Sequence, residues 1–127
     1  MKNLLTVTAV IEGLTGLLLA AIPSFVTRLL LASSLDDAVS LTVARLTGLA
    51  LLTLAVACWL ARLDGGTRAA NGLVAAMVLY NIGAIVLLVY AGVALRLSGI
   101  GLWPAVLLHA IMGVWCVMRL LKEPRLQ

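Results

Sequence analysis

Charge is what this sequence has least of. Only 11% of its 127 residues are Asp, Glu, Lys or Arg, while 64% are hydrophobic, and the mean hydropathy is +1.19. A soluble domain is about half apolar and about a quarter charged. So short a chain leaves much of its surface exposed and cannot hide this much apolar area inside a globule. Soluble globular and disordered classes are therefore excluded. Two cysteines are too few for a disulfide framework. The one histidine, His109, has no second His and no Cys at matching depth, which is too small a ligand set for a mononuclear metal site. No Walker loop, GxGxxG, CxxC, HExxH or nucleophile elbow is present. The apolar runs do not alternate with polar residues, so a membrane β-barrel is excluded as well.

What is present is four apolar segments, residues 4–22, 41–61, 69–95 and 102–121. About 20 helical residues cross a hydrocarbon core of about 30 Å, and each segment meets that length. The expected fold is all-α: a polytopic, four-transmembrane-helix bundle forming one domain over residues 1–127. Pro23 ends the first span, because its ring and missing N–H oppose helix continuation. Phe25, Val26, Leu29, Leu30 and Leu31 then predict a short interfacial helix in the first loop. Ser33, Ser34 and Asp36 offer turn chemistry and caps for the second span. Asp64-Gly65-Gly66 is a tight-turn signal that predicts spans two and three as antiparallel neighbours. Ser98-Gly99-Ile100-Gly101 plays the same part between spans three and four. Lys2 followed by an apolar run is similar to a secretory signal, but Glu12 interrupts that run, and the segment is expected to stay as a span.

Basic residues set the expected orientation. Lys2, Arg62, Arg68, Arg119, Lys122 and Arg125 fall on one side, and Arg28 and Arg96 on the other. The positive-inside rule then puts both termini in the cytoplasm, in a multi-pass protein of the cytoplasmic (inner) membrane. The net charge of +4 is accounted for by topology and anionic lipid, and no nucleic-acid partner is expected. Trp103 and Tyr90 mark the outer interface, Trp59 and Trp115 the inner one. Cys58-Trp59-Leu60-Ala61-Arg62-Leu63 and Trp115-Cys116-Val117-Met118-Arg119-Leu120 form a faint repeat. Hairpin duplication and shared interface chemistry explain it equally well. Cys58 and Cys116 lie at similar depth on the reducing side and read as small apolar filler.

Ionisable groups inside spans are costly and mark candidate sites. Here they are Glu12, Arg45 and His109, joined by Tyr80, Asn81 and Asn71. On the helical rise, Glu12 lies about 16 Å from Pro23, His109 about 10 Å inside span four and Arg45 about 6 Å inside span two. Glu12, Arg45 and His109 are expected to converge in the outer half of the bundle, with Asn81 and Tyr80 as a floor and Asn71 separate. The supporting stripes are Thr8, Glu12, Thr15 and Gly16; Thr42, Arg45, Gly48, Leu49 and Thr53; and Ala105, His109, Met112, Gly113 and Cys116. Gly72, Ala76, Tyr80 and Ala84 predict close backbone approach on span three. A direct Glu12–Arg45 ion pair that only fixes packing is the competing reading. His109 bonding to Glu12 or to a carbonyl is another.

Ala44-Arg45-Leu46-Thr47-Gly48 opens the second span with an arginine three residues before a glycine. That element and the four-span layout resemble the small DoxX-like bacterial membrane proteins, in which the comparable motif commonly opens the first span. The resemblance implies a respiratory or redox accessory role. Small multidrug transporters also carry a Glu in their first span, but Arg45 and His109 do not fit their charge placement.

Three functions compete. The first is binding or transport of a small, anionic or lipid-like ligand at an outward-facing site of Glu12, Arg45, His109, Asn81 and Tyr80. The second is a structural or assembly subunit of a larger membrane complex. The third is a small enzyme using Glu12 or His109 as acid or base on a lipid or quinone. Non-enzymatic readings lead. No cofactor or metal is expected; a haem or pigment held through His109 is the alternative. The expected partners are the lipid bilayer and either a homo-oligomer or a larger membrane complex.

Overall fold

The computed structural model describes residues 1–122, so Arg125, expected on the inner side, lies outside the described residues. Those residues form five helices and no strand. They are α1 (Lys2–Ala21), α2 (Pro23–Leu31), α3 (Ala38–Ala61), α4 (Arg68–Val93) and α5 (Leu102–Lys122). Helices α1, α3, α4 and α5 are each long and apolar enough to cross a membrane. Their bounds follow the four apolar segments, and α2 is the short helix expected in the first loop.

Local chemistry sets the ends. Ile22 leaves the helical region just before Pro23, which disfavours helix at the preceding residue, and Pro23 then sits at the start of α2. The cap of α3 is Asp37 and not the serine-rich stretch before it: its carboxylate accepts from Ser40 N–H at 2.8 Å. Asp37 follows immediately on Asp36 and directly precedes the first helical turn, where an acceptor can reach the free N–H groups. Thr67 caps α4 by accepting from Ala70 N–H at 3.1 Å. Pro104 is tolerated in the first turn of α5, where N–H groups lack helical partners anyway.

The helices pack as two close pairs, α1 with α3 and α4 with α5. The first pair meets at glycines. A Cβ on Gly48 would stand 2.5 Å from Ala20 N and 2.7 Å from Gly16 O. A Cβ on Gly16 would stand 2.7 Å from Gly48 O. The close neighbour of α3 is therefore α1, and α3 meets α4 only sparsely, in contrast to the antiparallel pairing expected from the Asp64-Gly65-Gly66 turn. That turn fixes connectivity, whereas closeness of backbones is decided by where small residues face each other. The expected close approach along Gly72 and Ala76 is absent too. Both are exposed, and nothing lies within 4 Å of a Cβ on Gly72.

Between the pairs, larger side chains form the core. Met1, Leu4, Leu5, Ala9, Cys58, Val74, Met77, Met112 and Cys116 are buried together. This cluster fills the half of the bundle that holds Met1 and the end of α5, called here the near end. The far end is tied differently: α2 lies across it. Gly99 N–H donates to Leu30 O and Gly101 N–H to Leu29 O, both at 2.9 Å. Trp59, at the near end of α3, carries the Arg62 guanidinium over its ring at 3.7 Å.

Candidate functional site

Glu12 stands at the middle of α1, 4% exposed. Helical spacing puts it on one face with Leu5, Thr8, Ala9 and Gly16, all buried. From α4, the Tyr80 hydroxyl donates to Glu12 Oε2 at 3.1 Å. The Tyr80 ring stands edge-on to the His109 ring of α5, with centroids 5.5 Å apart and planes at 77°. His109 Nδ1 is 2.9 Å from Asn81 Oδ1. Asn81, only 2% exposed, donates its Nδ2 to Met77 O at 2.7 Å.

These contacts fix protons. A carbonyl only accepts, so the Asn81 amide nitrogen must face Met77 O and its oxygen must face His109. His109 Nδ1 therefore carries the proton donated to Asn81. In the neutral ring, Nε2 is left with the lone pair. That nitrogen is the one available to accept a proton or a donor from a ligand. Four side chains from three helices thus form a chain of polar contacts, Glu12–Tyr80 and His109–Asn81, joined through the Tyr80–His109 ring contact.

Sequence reasoning brought Glu12, Tyr80, Asn81 and His109 to one region, and the structure does so. It does not bring Arg45 there. Arg45 is exposed on α3, and among the described residues the hydrogen-bond donor to Glu12 is Tyr80. A guanidinium is cheaper to place at the helix surface, where its long stem lets it reach an interface, than in a dry core. His109 bonds to the side-chain carbonyl oxygen of Asn81 and not to Glu12. Asn71 stays separate, near the start of α4, with its buried Oδ1 lacking a partner among the described residues.

One polar group was not singled out as a site residue. The Thr8 hydroxyl, one turn before Glu12, is buried with no hydrogen-bond partner among the described residues. The signal was its place in the Glu12 stripe. Among the described residues no group of three or more His, Cys, Asp or Glu side chains gathers. Beyond the polar cluster, toward the far end, Ala84 and Leu88 of α4 and Ala105 of α5 are half-buried, while Leu102 at the start of α5 is fully buried.

A scan of protein-family models gives no match to the chain, and neither a curated protein nor a solved structure matches it.

Proposed function

We propose that the chain is a small multi-pass membrane protein that binds or transports a small ligand at an intramembrane site built from Glu12, Tyr80, Asn81 and His109. Glu12 is the group that exchanges a proton or meets a positive charge. The observation that carries this reading is a buried carboxylate whose hydrogen-bond donor is the neutral Tyr80 hydroxyl, with Arg45 turned away. An unpaired buried ion is costly. Protonation of Glu12, or arrival of a cationic ligand, relieves that cost. The anionic ligand expected when Arg45 was placed in the site loses its support, and a cationic or neutral hydrogen-bonding ligand fits better. His109 Nε2 supplies a second acceptor. Entry from the far end, past the half-buried Ala84, Leu88 and Ala105, belongs to this proposal. On the positive-inside rule that end is the outer one, with both termini cytoplasmic.

Native mass spectrometry of the protein taken from its membrane tests this. We expect a small-molecule adduct that is lost in Glu12→Gln and weakened in Tyr80→Phe, and whose occupancy follows pH. An adduct unchanged in both variants, or none at any pH, refutes the proposal.

A further inference from the structure

A second feature lies at the near end, far from Glu12. A cavity of about 350 Å³ opens between the first turn of α1 and the last turns of α5. Its walls are Met1, Lys2, Asn3, Leu4, Trp115 and Arg119. Lys2 and Arg119 come from different helices, and none of the described lining residues is acidic. Such a volume falls in the range of small-molecule sites. An arginine fork and a lysine ammonium are the pair of groups that recognise phosphate oxygens.

Trp115 also walls a second space. A groove of about 470 Å³ runs along the outer surface of α5, lined by Ala110, Ile111, Val114, Trp115 and Met118. From Met118 to Ala110 it extends about 12 Å along the helix. Trp115 therefore borders both the cationic cavity and the apolar groove. A ligand matching both has a phosphate at one end and a hydrocarbon chain at the other. Free phosphate would use the cavity and leave the groove empty.

We propose that the cavity and groove together form a binding site for an anionic phospholipid, with the phosphate between Lys2 and Arg119 and an acyl chain along α5 past Trp115. This inference rests on the four long helices crossing a membrane, and not on the Glu12 site. Anionic headgroups at that surface are attracted by basic side chains, each contributing on the order of fivefold in affinity.

The test uses the full chain in nanodiscs containing phosphatidylglycerol and phosphatidylcholine, with retained lipid read by native mass spectrometry after release. Failure to enter nanodiscs would refute the membrane-spanning reading itself. Once inserted, the protein is expected to retain phosphatidylglycerol preferentially. Lys2→Gln and Arg119→Gln should each weaken retention about fivefold, and together about thirtyfold. Each single variant carries the test should the double one fail to fold. Arg68→Gln, a charge at the same end but outside the cavity, should weaken retention clearly less than Arg119→Gln, and Glu12→Gln should leave it unchanged. Val114→Trp, which fills the groove, should weaken retention of the lipid. Equal retention of phosphatidylcholine overturns the proposal, and so does a loss in Arg68→Gln as large as that in Arg119→Gln. Full displacement of the lipid by millimolar inorganic phosphate also overturns it, because the site would then be an anion site that makes no use of the groove.

Discussion

Replacing Gly48 with alanine tests the packing that holds α1 against α3. The added Cβ would stand 2.5 Å from Ala20 N, 2.7 Å from Gly16 O and 3.0 Å from Ala20 Cα. All three are backbone atoms and cannot rotate aside. Comfortable heavy-atom contact is about 3.5–4.0 Å, so the two helices must part by roughly 1 Å. Overpacking of this kind costs about 1–3 kcal/mol. Alanine returns up to about 1 kcal/mol through its better helix propensity. Even with the full return, the clash leaves a net loss of up to about 2 kcal/mol. Gly72 and Gly83 provide the control, since a Cβ on either meets nothing within 4 Å. Gly72→Ala and Gly83→Ala should be neutral or stabilising by up to about 1 kcal/mol. Denaturant-driven unfolding in mixed micelles reads the difference. The site supplies a second readout. Glu12 lies one turn before Gly16, and its bond from Tyr80 is already long at 3.1 Å. Parting α1 from α3 shifts Glu12, so ligand occupancy should fall in Gly48→Ala and hold in Gly72→Ala. If Gly48→Ala proves as stable as Gly72→Ala, the helices are not in backbone contact there and the reasoning fails.

Tyr80→Phe removes the donor to Glu12 while keeping the ring against His109. It should cost about 1–3 kcal/mol and change the pH dependence of ligand binding; an unaltered pH profile would show that Glu12 is not the titrating group. Asn81→Leu removes both the acceptor for His109 and the donor to Met77 O, at a cost of about 1–3 kcal/mol. Nitrogen NMR of His109 should then show loss of the fixed Nδ1–H tautomer, and a tautomer that survives would contradict the assignment. Asp37→Ala should lower thermal stability by removing the cap of α3. The hydrogen bonds from Ser40 hold the Asp37 carboxyl below its ordinary value of 3.8, so its contribution is present above that value and is lost as pH falls through the lowered one. The stability gap between wild type and Asp37→Ala should therefore shrink on strong acidification, and a gap that widens would reverse the sign.

The four long helices were legible because their signal is additive over many residues: each apolar run is long enough to cross a bilayer, and Pro23, Asp64-Gly65-Gly66 and Ser98-Gly99-Ile100-Gly101 separate the runs. Which face of each helix turns inward is a finer matter, and α3 shows why. Gly48 was rightly placed at a close approach, but helical rows of three and four residues leave it in both directions. The row through Thr42, Arg45, Leu49 and Thr53 gathers the polar residues. The buried row is Gly48, Leu51, Ala55 and Cys58. Their mean directions differ by roughly 145° around the helix. In water the polar row would face out and the choice would be plain. In an apolar chain both rows are tolerated on the surface, and the decision falls to backbone fit against α1 and to the cost of burying a guanidinium. The same ambiguity on α4 favoured Gly72 and Ala76, whereas burial follows Ala70, Val74, Met77 and Asn81. On α1 and α5 each polar residue shares its row with a small residue that packs, Glu12 with Gly16 and His109 with Gly113, so polarity and fit agree and both side chains turn toward Tyr80 and Asn81. Arg45 was misplaced because pairing it with Glu12 satisfied charge alone. Its removal from the site leaves Glu12 without a countercharge among the described residues, and on the proposed function that is why a cationic or neutral ligand fits better than an anionic one.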